Sequence, residues 1–533
     1  QNLSFRFVVS ELAHLGPWQA KQLFAVMIGA DFEETRQALS PYGKLIRCGL
    51  LVTSQPHGTH PSFQLSLLSD YFAERVLFPS ASAMDLLADH IKPAPDTLLA
   101  DDDYSHISHE FGLMSSLLEH SLRTKHLGCN ILIYGEPGTG KTELVRLVAK
   151  KLAYDLYDIS CVDAEGHAIK GLDRLQAYIA TQHLLARASA LIVFDELEDL
   201  FNDSDSQFGR SSAQQHKGRI TRLLEENVCP TLWISNQVDC LEPAFVRRFD
   251  MVLELPIPPY EQRAKMVEPI ASRLGLTHEH ARRISQCPHI SPAVLERSAA
   301  SIKRMQLTKE PAAKALDYLI NSTLKAQQHK PMATVADAKG ASGFEPEMTN
   351  IEGFDSERSL IDLSERVVKL GQGKLCLHGP SGSGKTAFAR WLASKSDHPL
   401  RLVSGSDLIG AQVGQTEENM ALLFERAEQD GSILLIDEVD SFLRSRERAE
   451  KSWEITAVNE LLVQIERFSG ILMVTTNFFS SLDAAALRRF DVKLRFGYLR
   501  PLESWQKLQQ FCESVGIDQC AEDLWSEIAD LNK

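Results

Sequence analysis

Gly135-Glu136-Pro137-Gly138-Thr139-Gly140-Lys141-Thr142 recurs 244 residues later as Gly379-Pro380-Ser381-Gly382-Ser383-Gly384-Lys385-Thr386. Each octapeptide follows an apolar run of strand character, Asn130-Ile131-Leu132-Ile133-Tyr134 or Lys374-Leu375-Cys376-Leu377-His378. Each precedes a stretch of helical character, residues 143–152 or 387–394. Strand, glycine loop and helix form the context in which successive backbone N–H groups converge on phosphate oxygens at a helix N-terminus. Gly135, Pro137, Gly138, Thr139 and Gly140 shape the first cradle; Gly379, Ser381, Gly382, Ser383 and Gly384 shape the second. Lys141 and Lys385 are placed to reach the β- and γ-phosphates of ATP, and Thr142 and Thr386 to hold Mg2+.

Each loop is answered downstream by the same series of strand ends. Leu191-Ile192-Val193-Phe194 and Ile433-Leu434-Leu435-Ile436 run into Asp195-Glu196 and Asp437-Glu438. A continuous apolar run marks a parallel strand covered on both faces, whose C-terminal end opens onto the site. The aspartates stand 54 and 52 residues beyond their lysines. Asp195 and Asp437 are expected to act on Mg2+, and Glu196 and Glu438 to activate the attacking water. A third strand ends in Asn236 or Asn477, 41 and 40 residues beyond the aspartates, where an amide can hold that water in line. Twelve residues past each asparagine stands the second arginine of a pair, Arg247-Arg248 or Arg488-Arg489, each pair leading into Phe-Asp. An arginine fork stabilises charge on a transferring phosphoryl group.

Taken together, these motifs resemble the AAA family over residues 100–533. The resemblance implies an α/β fold with two P-loop NTPase modules, each a parallel sheet flanked by helices with a helical lid. It also implies ATP hydrolysis with Mg2+, finger arginines acting on a neighbouring subunit, and a homo-oligomeric ring, usually a hexamer. The short Arg-Arg-Phe ending is similar to the katanin and spastin-like group. Ile351-Glu352-Gly353-Phe354 resembles the adenine-contacting segment, and Ser291-Pro292-Ala293 the lid motif, with Pro292 where the family has glycine. The family's substrate-gripping loop carries an aromatic residue; Ile169 and Gln412 stand at its place here. An aromatic ring gives a large contact at low entropy cost, so its absence favours a remodeller or assembly factor over processive threading.

The rest of the chain frames these modules. Its 533 residues are 44% hydrophobic and 24% charged, material for several domains. A net charge of −15 argues against a broad nucleic-acid-coating surface. The nine cysteines are scattered without metal spacing, as expected of reduced, mostly buried thiols in a cytoplasmic protein. No membrane span or secretory leader is legible, and the start at Gln1 suggests a missing upstream segment.

The reading divides the chain into six parts. Residues 1–85 form a small α+β domain resembling a winged helix, with helices at 18–27 and 32–39. Apolar runs at 45–52 and 63–67 supply its hairpin. Residues 86–259 and 260–325 are the first module's large subdomain and lid, and 326–350 a linker. Residues 351–499 and 500–533 are the second large subdomain and a short lid, taken as truncated. The function expected is ATP-driven remodelling or disassembly of a protein partner. Two alternatives stand: a nucleic-acid-directed ATPase reading DNA through the winged helix, and a nucleotide-gated scaffold with little hydrolysis.

Overall fold

Ile131 and Ile133 pack on one face of their strand and Leu132 on the other, and all three are fully buried. That is the period of two expected of a strand sandwiched between helices. The computed structural model describes residues 17–40, 43–54, 64–68, 72, 84–162, 166–169, 171–202, 217–329, 331–332, 344, 350–352, 357–396, 398–408, 415–441 and 452–514. These fall into two compact units, residues 1–257 with 291–293, and residues 258–290 with 294–533.

The first unit opens with helices α1 (Pro17–Ile28), α2 (Phe32–Ala38) and α3 (Lys44–Arg47), then the antiparallel hairpin β1 (Leu51–Ser54) and β2 (Gln64–Leu67). The apolar run at 45–52 becomes strand only from Leu51, because residues 44–47 close a helical turn first. Gly49 then reverses the chain at φ 71°, where a Cβ would meet the Gln176 carbonyl at 2.8 Å. Only glycine fits both constraints.

The module sheet follows: β3 (Ile91–Pro93), α4 (Ser108–Thr124), β4 (Asn130–Tyr134), α5 (Lys141–Leu152), β5 (Asp155–Ile159), α6 (Gly171–Leu184), β6 (Ala190–Phe194), α7 (Asp199–Asn202), α8 (Lys217–Glu226), β7 (Thr231–Ser235), α9 (Pro243–Val246) and β8 (Met251–Glu254). The strand order is β3-β5-β6-β7-β4-β8, parallel except for β3. One face carries Phe111, Met114, Leu144 and Val148; the other carries Leu175, Tyr178 and Phe245. Asn130 is the polar pin of this core. Its amide nitrogen donates to the Leu224 carbonyl at 2.6 Å and to Asn227 Oδ1 at 3.0 Å, and its Oδ1 accepts from Trp233 Nε1 at 2.9 Å.

In the second unit, α10 (Tyr260–Leu274), α11 (His278–Gln286), α12 (Pro292–Arg304, whose first two residues group with the first unit) and α13 (Lys309–Ala326) form a helical bundle around Ile284, Ile302, Leu316 and Ile320. Then come β9 (Ile351–Glu352), α14 (Glu357–Leu370), β10 (Gly373–His378), α15 (Lys385–Lys395), β11 (Leu400–Ser404), α16 (Gln415–Gln429), β12 (Ile433–Asp437), α17 (Ser452–Arg467), β13 (Ile471–Thr476), α18 (Ala484–Leu487), β14 (Val492–Phe496) and α19 (Pro501–Ser514). The order β11-β12-β13-β10-β14-β9 repeats the five-stranded parallel core of the first sheet. The added antiparallel strand lies on the opposite edge, β9 on β14 here and β3 on β5 there. Within the stretch read as a linker, Met332 packs into the helical bundle and Phe344 against Phe388 and Trp391.

Among the described residues no helix is long and apolar enough to cross a membrane. The described cysteines are free thiols: Cys129, Cys229, Cys287 and Cys376 are buried, while Cys48, Cys161, Cys240 and Cys512 are half-buried.

Replacing Asn130 with leucine is expected to destabilise the first module by about 2–4 kcal/mol, since Trp233 and Asn227 are left with buried, unpaired groups. Urea unfolding followed by circular dichroism measures it; a loss below about 0.5 kcal/mol would show that the network is not a stability determinant.

Candidate active sites

In both modules the strand before the glycine loop lies between the strand that ends in the asparagine and the last strand (β4 between β7 and β8, β10 between β13 and β14), so its C-terminal end faces the crevice where the strand order turns. The loop after β4 or β10 must leave the strand and start a helix within eight residues, which left-handed glycines allow. Gly138 and Gly140 have φ 83° and 101°, Gly382 and Gly384 78° and 95°. Gly135 and Gly379 pass against the backbone of the last strand's exit, where a Cβ would meet the Leu255 or Phe496 carbonyl at 2.3 or 2.1 Å. The first-turn N–H groups of α5 and α15 have no intrahelical acceptor and are available to an anion.

The lysines are nearly out of solvent, 6% and 8% exposed. Lys141 Nζ donates to the Gly135 and Glu136 carbonyls at 2.8 and 3.0 Å and to Asn236 Oδ1 at 2.9 Å. Lys385 Nζ repeats this with Gly379, Pro380 and Asn477 at 2.8, 2.7 and 2.8 Å. Burial pulls both ammonium groups below the ordinary lysine range. Asp195, Glu198 and Glu136 oppose that pull on Lys141, and Asp437, Asp440 and Glu438 on Lys385. Thr142 Oγ1 donates to Asp195 at 2.8 Å, and Thr386 Oγ1 lies 3.2 Å from both oxygens of Asp437. A hydroxyl beside one carboxylate is the sparse oxygen donor set that Mg2+ takes alongside substrate phosphates, so these residues fit that ion.

Glu196 and Glu438 are exposed and take left-handed backbone at φ 55° and 56°. For a non-glycine residue this costs about 1–3 kcal/mol and persists only where the surroundings enforce it. Beyond them stand Glu198 and Asp440, which the motif reading passed over. Glu198 accepts from Ser235 Oγ at 2.8 Å and Asn236 Nδ2 at 2.7 Å. Asp440 accepts from the Thr476 hydroxyl and, at 3.3 Å, from the Asn477 N–H. They orient the asparagines, and their recurrence three residues past each aspartate was the available signal.

The arginine pairs lie elsewhere. Asp250 exchanges backbone and side-chain bonds with Asn130 at the start of β4, at 2.9 and 2.8 Å. Asp491 does the same with Lys374, at 2.8 and 2.9 Å. The preceding arginines are therefore tethered to the end of the sheet away from their own loop. Arg248 pairs with Glu225 and Arg489 with Glu466, while Arg247 and Arg488 are exposed.

In the lid motif, Pro292 is the first residue of α12, a position that needs no N–H donor, and Ala293 N–H reaches the Gly138 carbonyl at 3.2 Å. Tyr104, which the sequence did not single out, donates its hydroxyl to the Gly140 carbonyl at 2.9 Å. Ile169 is half-buried, its N–H bonded to the Cys161 carbonyl at 2.9 Å. Gln412, Gly353 and Phe354 lie outside the described residues.

Residues 131–257 and 375–498 match the model of the ATPase family associated with various cellular activities (AAA). The chain carries two domains of this family in tandem. It is 25% identical to the peroxisomal ATPase PEX6 of Kluyveromyces lactis over 72% of this chain and 43% of that protein. It is 27% identical to the cell division control protein 48 homolog B of Arabidopsis thaliana over 68% and 66%, respectively. With the cell division cycle protein 48 homolog of Archaeoglobus fulgidus it shares 24% identity over 82% and 66%. The chain thus spans 43% to 66% of the length of these relatives.

Asp158, near the end of β5, has its carboxyl pushed up to about 6 by burial and then by the charge of Asp195, against the pull of Arg146, Arg174 and Lys92. The folded state keeps this proton where the unfolded chain has lost it. The associated stability is present below pH 4 and is lost as pH rises through about 6. Asp158→Asn is therefore expected to stabilise the protein at pH 7.5 by roughly 1–3 kcal/mol. It should also flatten the fall in melting temperature between about pH 5 and 7. A lower melting temperature for the variant at pH 7.5 would refute this assignment.

Proposed function

We propose that the chain binds and hydrolyses ATP with Mg2+ in both modules and uses the turnover to remodel or disassemble a protein partner within a homo-oligomeric ring. The observation that carries the catalytic reading is the convergence of lysine and asparagine. Side chains 95 and 92 residues apart in sequence meet at 2.9 and 2.8 Å beside a threonine–aspartate pair, twice in one chain.

In this reading the loop N–H groups and Lys141 or Lys385 bind the triphosphate, exchanging internal acceptors for phosphate oxygens. Thr142 with Asp195, and Thr386 with Asp437, would hold Mg2+, which supplies positive charge to the phosphates. Glu196 or Glu438 accepts a proton from water as its oxygen bonds to the γ-phosphorus. The bond to the β–γ bridging oxygen breaks, leaving ADP and phosphate. Asn236 and Asn477 fix the line of attack. Arg247, Arg248, Arg488 and Arg489, tethered away from their own loops, are suited to a neighbouring subunit's nucleotide, which is the argument for a ring.

A protein partner is favoured over DNA by the amino-terminal domain. The first turn of α2 carries Glu33 and Glu34 behind an Asp31 cap, and Arg36 is paired with Glu33. An anionic helix end repels phosphates. A cytoplasmic location remains part of the same proposal.

Turnover of Glu196→Gln and Glu438→Gln, singly and together, tests the reading. Each single variant is expected to lose its own module's hydrolysis about 100-fold or more while still binding ATP, and the double variant to be inactive. Wild-type turnover in the double variant would sink the assignment of the base, whereas negligible turnover of the unmodified chain would leave a nucleotide-gated scaffold.

A further inference from the structure

The two glutamates share one left-handed conformation, yet the modules support it differently. In the second, Thr475 of β13 accepts the Glu438 N–H at 3.0 Å and donates its hydroxyl to Asp437. The corresponding residue of the first module, two before the asparagine, is Ile234, which has no hydroxyl and is buried in the core.

There the turn is held from the side of α6. Arg174 is wholly buried. One terminal nitrogen donates to the Asp195 carbonyl; the other donates to the Glu196 carbonyl at 3.4 Å and to Asp199 Oδ2 at 3.1 Å. Its guanidinium carbon lies 4.4 Å from the centre of the Phe194 ring. One planar fork thus grips the strand end, both carbonyls of the acidic pair and the start of α7. Thr416 stands 21 residues before Asp437, as Arg174 stands 21 before Asp195, and a threonine side chain cannot span those groups.

We propose that Arg174 is the positioning residue of the first active site: the Glu196 N–H turns back on Asp195 Oδ1 at 2.8 Å, and Arg174 holds the Asp195-Glu196 turn from its carbonyl side so that the Glu196 carboxylate faces its water, a turn that Thr475 braces in the second. The inference rests on Glu196 being the base.

The test uses the full chain carrying Glu438→Gln, so that measured turnover belongs to the first module. Arg174→Met is expected to lower kcat about 100-fold, the effect of misplacing a reacting group by about an ångström. Affinity for a fluorescent ATP analogue should stay within about threefold, because loop and lysine are untouched. Arg174→Lys, a cation without the fork, should recover less than about a tenth of the activity. Adding Ile234→Thr to Arg174→Met, which transplants the second module's support, should restore at least about tenfold. Turnover of Arg174→Met within about twofold of its parent, with Glu196→Gln inactive, overturns the proposal and leaves the base assignment standing. A parallel loss of turnover, ATP affinity and melting temperature that Ile234→Thr does not relieve overturns it in favour of a purely structural arginine. Full turnover in Glu196→Gln removes the base itself, and the proposal with it.

Discussion

A lysine ammonium held almost out of water, with its protons spent on two loop carbonyls and one amide oxygen, sets the geometry on which each module depends. A buried charge is tolerable only where dipoles and counter-charges meet it. At Lys141 those groups come from the loop, from the end of β7 and, through space, from Asp195 and Glu198. Lys385 draws on the matching groups of its own module. The parallel sheet brings them together, because its order sets β4 beside β7 and β10 beside β13 and aligns their C-terminal ends. A triphosphate would offer the same ammonium acceptors with full negative charge, stronger than these carbonyl and amide oxygens.

The repeat invites the assumption that both sites are built alike, and their first ring of residues is. Behind it they diverge. Both Glu198 and Asp440 take the asparagine backbone N–H at 3.3 Å, but Glu198, one methylene longer, also accepts from the Asn236 side-chain amide at 2.7 Å. The strained glutamate is braced by Arg174 in one site and by Thr475 in the other. The sheets are closed on opposite edges, by β3 and by β9. Chemistry fixes the atoms that touch substrate, whereas several packings can supply the forces that hold them.

That contrast also explains what could be read from the chain. The glycine loops, acidic pairs and asparagines were legible because each must be one residue type at one strand end, and buried parallel strands announce themselves as unbroken apolar runs. Arg174 was not legible. A lone arginine in a helical stretch reads as a solvated side chain, and nothing local reports that its fork is enclosed by the strand end opposite. Met332 and Phe344 lay hidden in a stretch without periodicity, where burial depends wholly on distant partners. The run at 45–52 carries no usable period from which to place its strand start; Gly49, at positive φ, decides where the strand can begin.

The arginine pairs follow from the same sheet geometry by its opposite end. Asp250 and Asp491 lock the residues after each pair to the first residues of β4 and β10, leaving the strand's length, roughly 15 Å for five residues, between the arginines and their own loop. Two of the four are already neutralised by Glu225 and Glu466, while Arg247 and Arg488 stand in solvent. An exposed guanidinium at the rim of a rigid sheet contributes little to the stability of its own module. It gains value only against an anion supplied from outside. On the proposed reading, each module would carry the base and cradle for one phosphate chain and a fork directed away from it, a division of parts that suits modules of neighbouring subunits side by side.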